Sequence, residues 1–123
     1  MGGFVDSWNS LSGDYEEIYI LCHGYPGGLS CAGESIENSG RDAYAFWDLG
    51  TVSANRVNLY SCNGGTFNEK GNSVAMHLSQ LTGGSVWAVA NGYLGYALFS
   101  HTPIPKKGGA WSVTYSGVTT VFN

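Results

Sequence analysis

Charge is scarce in this chain, and positive charge is the scarcer kind. Lys and Arg number 5 against 9 Asp and Glu, and charged residues make up only 11% of the sequence. Proteins that bind nucleic acid neutralise its phosphates with a patch of basic side chains. The basic residues here are scattered and form no such patch, so the composition excludes nucleic acid as an expected partner.

Long apolar runs are also missing. A helix that spans a membrane needs about 20 consecutive apolar residues, and the sequence contains no such run. The first residues, Met1-Gly2-Gly3-Phe4, lack the basic and apolar regions of a signal peptide. We therefore expect no membrane span, and a location either in the cytoplasm or outside it after secretion as part of a longer parent chain.

Cysteines are few, and their number is odd. Cys22, Cys31 and Cys62 form no CxxC pair and no even disulfide framework. With the 3 histidines they offer no ligand pair at metal spacing. We therefore expect free thiols, no metal and no cofactor.

What the chain does contain suffices for a core. Of its 123 residues 43% are apolar, enough for one domain. We expect residues 1–123 to form that single domain, with the polar stretch 1–15 as a lead-in segment or linker. Near-continuous apolar runs that alternate with helical segments favour an α/β fold. The expected architecture is an open, mostly parallel sheet flanked by helices and buried on both faces.

The expected helices and strands follow from the periodicity of apolar residues and from the glycines and prolines that interrupt it. Strands are predicted at 18–23, 56–61, 85–90, 110–115 and 118–122. Helical segments are predicted near Ser7–Leu11, at Asp42–Leu49 and from Asn72 or Ser73 to Leu81. The Gly/Ser-rich stretch Gly24–Gly40 and the segment around Pro103 and Pro105 are predicted to be irregular, and Gly92–Ser100 to be a strand or a loop.

Two of the predicted strands run into a reactive side chain, and each breaks at glycine within the next two residues. The first runs into His23-Gly24, and the second runs into Ser61-Cys62. Sites in open α/β sheets are built at the carboxyl ends of neighbouring strands. An imidazole beside a thiol can take its proton or stabilise the thiolate. We therefore predict His23 as base and Cys62 as nucleophile.

The backbone around these two residues suits the same chemistry. The N–H groups of Gly24 and Cys62 are candidates to hold a developing oxyanion. Asn63, Gly64 and Gly65 are predicted to bind substrate, because glycines there leave an open floor for an extended peptide. A plainer interpretation treats Cys62 as a small buried hydrophobe and His23 as a turn residue.

The other reactive or aromatic residues favour structural roles. Cys22 is expected to point into the core on the face opposite His23. Cys31 lies in a loop without a partner histidine. His77 and His101 are expected at the surface or in packing. The residues expected to form core or pocket wall are Phe46, Trp47, Trp87 and Trp111. For the substrate side chain at the cleaved bond (P1), two pockets remain open: Asp42, Asp48 and Glu34 for a basic one, or Arg41 or Arg56 for an acidic one.

The order of these motifs resembles the caspase-like cysteine peptidases, the clan CD or caspase–hemoglobinase fold. True caspases carry Gln-Ala-Cys-x-Gly at the nucleophile, where this chain has Tyr60-Ser61-Cys62-Asn63-Gly64. The chain is more similar to the short C-terminal domains of bacterial RHS-type and other polymorphic toxins. The resemblance covers roughly 16–115, through His23-Gly24, Leu59–Gly65, Val74–Leu78, Leu81–Gly83, Val86–Ala88 and Gly108–Trp111.

That resemblance implies a minimal caspase-like domain and a function. It implies peptide-bond hydrolysis by His23 and Cys62 through an acyl-enzyme, either as a toxin effector or in self-processing. The partners implied are a protein or peptide substrate and a parent toxin chain or immunity protein. Two alternatives stay open: a catalytically inactive binding module of the same fold, and acyl transfer on a non-peptide substrate.

Overall fold

A mixed sheet of five strands forms the centre of the protein in a computed structural model that describes residues 3–31, 34–37, 49–69, 71–96, 103–116 and 118–122. The helices are α1 (Gly3–Asn9) and α2 (Val74–Thr82). The strands are β1 (Asp14–Leu21), β2 (His23–Tyr25), β3 (Gly28–Cys31), β4 (Glu34–Glu37), β5 (Ser53–Tyr60), β6 (Ser85–Ala90), β7 (Tyr93–Tyr96), β8 (Pro103–Lys106), β9 (Ala110–Tyr115) and β10 (Val118–Phe122).

The order of strands in the central sheet is β1-β5-β6-β9-β10. β1, β5 and β6 are parallel, whereas β9 runs antiparallel to both β6 and β10. The predicted α/β class is confirmed, but the sheet is mixed and not mostly parallel. The reason is the connection after β6: a ribbon of β7 and β8 replaces a crossover helix, and such a connection brings the next strand back antiparallel.

The core lies between one face of this sheet and the two described helices. Val57 and Leu59 of β5 are fully buried there, together with Leu78 of α2 and Trp8 of α1. α2 starts as predicted, because the Ser73 hydroxyl accepts a hydrogen bond from the Met76 N–H at 3.0 Å. Gly83, in the left-handed region at φ 71°, ends it.

The opposite face of the sheet is not covered by either described helix. β5 alternates, so that Arg56, Asn58 and Tyr60 lie on this face while Val57 and Leu59 enter the core. Large apolar side chains of both edge strands are exposed here: Leu21 is 63% and Phe122 49% accessible. The expectation of burial on both faces is therefore wrong for the described part of the chain. We call this surface the open face.

Two segments predicted to be irregular form small antiparallel sheets. β2, β3 and β4 form one, in which Tyr25 pairs with Gly28 across a two-residue turn. β7 and β8 form the other, and β8 carries Pro103 and Pro105, which an edge position tolerates. The predicted helix at Asp42–Leu49 lies outside the described residues except for Leu49, which is buried.

Candidate functional site

His23 and Cys62 occupy equivalent positions at the carboxyl ends of two paired strands. The last matched pair of β1 and β5 is Leu21 with Tyr60, and each reactive residue lies two positions beyond the last residue of its strand. Neighbouring strands are only about 4.8 Å apart. The fold thus brings a base and a thiol from distant parts of the sequence to one edge of the sheet.

Both side chains line a cavity of about 250 Å³ at this edge, with Cys22, Tyr60, Ser61 and Leu94 as its other walls. His23 is exposed and Cys62 half-buried. Among the described residues no hydrogen bond joins the imidazole to the thiol. Catalytic hydrogen bonds are often long before substrate binds and tighten in the complex, so the shared cavity is the relevant geometry.

Gly24 is in close contact with the turn that carries Cys62. A β-carbon on residue 24 would overlap the Cys62 carbonyl oxygen, and it would lie 3.0 Å from the Cβ and Oγ of Ser61. Only glycine fits this approach without a shift of backbone. The glycine after His23 therefore allows β2 to pack directly against the end of β5.

The turn after Cys62 is fixed by hydrogen bonds to neighbouring segments. Asn63, in the left-handed region at φ 55°, donates its N–H to the Gly92 carbonyl at 2.9 Å. The Asn63 side-chain oxygen accepts from the Thr66 hydroxyl at 2.8 Å. The Gly65 N–H donates to the Val89 carbonyl at 2.9 Å. These hydrogen bonds hold the turn that contains Cys62 in place and so limit how far its sulfur can move.

Gly64 and Gly65, predicted to bind substrate, lie beneath the turn. Both are buried, and neither they nor Asn63 line the cavity. A β-carbon at Gly64 would lie 2.7 Å from Leu59, and one at Gly65 would overlap the hydroxyl of Ser112. These glycines permit close packing beneath the turn. The structure does not bring the three predicted substrate-binding residues to the cavity.

Sequence reasoning missed the four cavity-wall residues besides His23 and Cys62, and two of them bear on the chemistry. Cys22 packs against the core, as expected, but it also lines the cavity. Ser61 is only 2% exposed, and its hydroxyl has no hydrogen-bond partner among the described residues. Such an orphaned group is unusual in a folded protein. The sequence signal for Ser61 is its position directly after β5 and before Cys62. That position alone does not indicate a residue of a site, because the cavity is not visible in the sequence.

A second and larger concavity lies on the open face. Its volume is about 600 Å³, and we call it the aromatic groove. Trp87 and Trp111, which were expected in the core or in a pocket wall, line it. Tyr60 belongs to both concavities, so the aromatic groove adjoins the cavity of His23 and Cys62. The described residues that line it are Arg56, Asn58, Tyr60, Trp87, Pro103, Trp111 and Phe122.

The remaining candidates have less to contribute. His77 is half-buried on α2, away from the cavity lining. The side chains of Cys31 and Glu34 and the residues Arg41, Asp42, Phe46, Trp47, Asp48 and His101 lie outside what the structure describes. In the ranges that are described, no three His, Cys, Asp or Glu side chains cluster as a metal site would require, and no helix has the length and apolarity to cross a bilayer.

No known protein provides a comparison for the geometry of this site. Comparison of the chain with protein-family models, with curated proteins and with solved structures finds no match in any of the three.

Proposed function

We propose that this protein is a cysteine endopeptidase with a minimal caspase-like fold, in which His23 is the base and Cys62 the nucleophile. The observation that carries the proposal is the common cavity of these two side chains at the ends of paired parallel strands. A protein or peptide is the proposed substrate. Work on a host protein as a toxin effector and cleavage of a parent chain are both compatible with this chemistry.

The proposed reaction has two halves. His23 accepts the thiol proton while the sulfur of Cys62 attacks the peptide carbonyl carbon, and the carbonyl electron pair moves to oxygen. Collapse of this intermediate expels the amine, which takes the proton from the imidazolium, and leaves a thioester. Water then attacks the thioester with His23 as base, the thiolate leaves, and the carboxylate product departs.

The backbone donors proposed for the oxyanion are the N–H groups of Gly24 and Cys62. The neighbouring N–H groups of Asn63 and Gly65 already donate to carbonyls of other segments, so they are not free for substrate. The tight contact between Gly24 and Cys62 keeps the two proposed donors on adjacent segments. Fixed donors of this kind stabilise a charge that develops only in the transition state.

The first test is alkylation of the thiols by iodoacetamide at neutral pH, mapped by mass spectrometry. Cys22 is a matched control because it lines the same cavity. We expect Cys62 to react at least tenfold faster than Cys22, and His23→Ala to remove most of that difference. Equal rates that are unchanged in His23→Ala would contradict an activated thiol and favour the inactive binding module.

The second test is catalytic. Wild-type protein is incubated with a proteome-derived peptide library, and new termini are identified by mass spectrometry. Cys62→Ala is the control, because it removes the sulfur while changing little of the packing at a half-buried position. Cleavage by wild type and none by the variant is expected. Cleavage that survives in Cys62→Ala would exclude this residue as nucleophile, and a reactive Cys62 without peptide cleavage would favour acyl transfer on another substrate.

A further inference from the structure

Arg56 is held in a defined position at one end of the aromatic groove. Its guanidinium lies over the ring of Trp87, with the central carbon 4.2 Å from the ring centroid. Its Nε donates to the side-chain oxygen of Asn58 at 2.8 Å and lies 3.6 Å from a carboxylate oxygen of Glu17. Asn58 is almost fully buried and also donates to Glu17 at 3.2 Å. The guanidinium is thus fixed by the hydrogen bond of its Nε and by its stacking on the face of the Trp87 ring.

The other end of the guanidinium remains available. No described residue accepts a hydrogen bond from its two terminal NH₂ groups, and the side chain is 41% exposed. A planar fork whose two terminal NH₂ groups have no acceptor among the described residues matches a carboxylate, which it binds through two parallel hydrogen bonds. Arg56 therefore has the chemistry to recognise an acidic group that enters the aromatic groove.

The separation of Arg56 from the cavity of the reactive thiol follows from their positions along β5. Arg56 and Tyr60 lie on the same face of β5, four residues apart, which corresponds to about 13 Å along a strand. Tyr60 borders the cavity of Cys62, and Arg56 does not. An acidic side chain on Arg56 is therefore too far away to belong to the residue at the cleaved bond. An extended peptide covers the same distance in about four residues.

The aromatic groove between these points is apolar. Trp87 stacks on Phe122 at 6.1 Å between ring centroids, and Tyr60 meets the edge of Trp111 at 6.4 Å. The ribbon of β7 and β8 borders both concavities, since it supplies Leu94 to the cavity and Pro103 to the groove. A peptide that leaves the cavity along this ribbon would bury large apolar side chains before it reaches Arg56.

We infer, resting on the proposed function, that the aromatic groove binds the substrate peptide on one side of the cleaved bond and that Arg56 pairs with an Asp or Glu about four residues from that bond. Bulky apolar residues occupy the intervening positions. The occupant follows from continuity with the cavity, from the terminal guanidinium donors that no described residue engages and from the apolar lining.

Cleavage profiling tests this substrate class. Sites cut in the peptide library are aligned on the cleaved bond for wild type, Arg56→Gln and Arg56→Lys. Wild type is expected to show acidic residues enriched four or five positions away, with large apolar residues between. The sites cut by Arg56→Gln should lose the acidic enrichment while the large apolar residues stay enriched, and Arg56→Lys should retain part of the acidic enrichment. Cleavage by wild type with no acidic preference at any such position would overturn the inference and leave the proposed function intact.

A binding measurement separates the two proposals. The peptide acetyl-Asp-Leu-Val-Phe-Ala-Gly-amide and its Asn counterpart are titrated into Cys62→Ala, with tryptophan fluorescence as readout. The Asp peptide is expected to bind at least about tenfold more tightly, as a charge-assisted bidentate pair would give. The ratio of the affinities for the Asp and Asn peptides should fall to about one in the double variant Cys62→Ala, Arg56→Gln. The same ratio should rise in the double variant Cys62→Ala, Glu17→Gln, which removes the competing carboxylate. If this pattern holds while wild type cleaves nothing, only the proposed function fails; a ratio near one in Cys62→Ala overturns the inference.

Discussion

Gly24 and Cys62 meet at a contact in which residue 24 has no space for a side chain. A β-carbon at Gly24 would overlap the Cys62 carbonyl oxygen. The contact joins the first residues of β2 to the end of β5, and these two segments carry the proposed base and nucleophile. Any change that separates them is therefore expected to disturb the geometry of the thiol as well as the packing.

Gly24→Ala should both destabilise the protein and slow alkylation of Cys62. The added methyl must displace backbone atoms, and overpacking of this kind costs about 1–3 kcal/mol. Urea unfolding gives the free energy, and iodoacetamide labelling gives the reactivity. Gly95→Ala is the control, because there the nearest atoms belong to the flexible side chain of Lys106, at 3.2 Å. Equal behaviour of the two variants would contradict the tight contact.

Ser61→Ala is expected to leave the stability unchanged or to raise it slightly. The hydroxyl is buried without a described partner, and an unsatisfied buried polar group costs about 1–3 kcal/mol. Ser112→Ala is the matched control, since that buried hydroxyl donates to the Ala88 carbonyl at 3.2 Å, and its loss should cost about 1 kcal/mol. Urea unfolding of both variants checks this; a clear loss of stability in Ser61→Ala would indicate a partner such as a buried water.

Leu78→Ala should lower the free energy of unfolding by about 2–5 kcal/mol, because it opens a cavity in the core. Leu78 has no exposed surface and packs between α2 and the sheet. Leu21→Ala makes the same chemical change at a position that is 63% exposed, where about 0.5 kcal/mol or less is expected. Chemical denaturation of both variants measures the difference. Similar losses would mean that the open face at Leu21 is buried in solution.

Ser73→Ala is expected to cost about 1 kcal/mol through loss of the cap on α2. The Ser73 hydroxyl accepts from the Met76 N–H, which has no partner within the helix. In Ser79→Ala, by contrast, the lost hydroxyl donates to the Met76 carbonyl, and alanine favours the helix. The two variants should therefore separate in thermal unfolding, and equal midpoints would argue against the capping role.

Much of the central sheet could be predicted because apolar runs and glycine punctuation are local signals. The predicted strands 85–90 and 110–115 coincide with β6 and β9. β1 begins earlier than the apolar run that predicted it, since pairing of Asp14 with Ser53 extends it into a polar stretch. β2, β3 and β4 were missed because Gly and Ser have low strand propensity, and only long-range pairing reveals such strands.

Only part of the candidate site could be predicted from the sequence. His23 and Cys62 could be found because each follows a strand and has a glycine within the next two residues. The packing of Gly64 and Gly65 could not, because sequence does not distinguish a glycine that leaves space from one whose space is filled. The contact of Arg56 with Trp87 depends on the register of β5 and β6, in which Arg56 pairs with Ser85 and Asn58 with Trp87. Register is a tertiary property.

We expect the parallel pairing of β1 with β5 to form slowly during folding. In the described part of the chain β2, β3 and β4 lie between them in the sequence, and parallel pairings across such separations are slow to form. Under the proposed chemistry, an unfolded or partly folded chain has a thiol without its base and does not cleave nearby proteins. The appearance of fast alkylation at Cys62 during refolding would therefore time the moment at which β1 and β5 join.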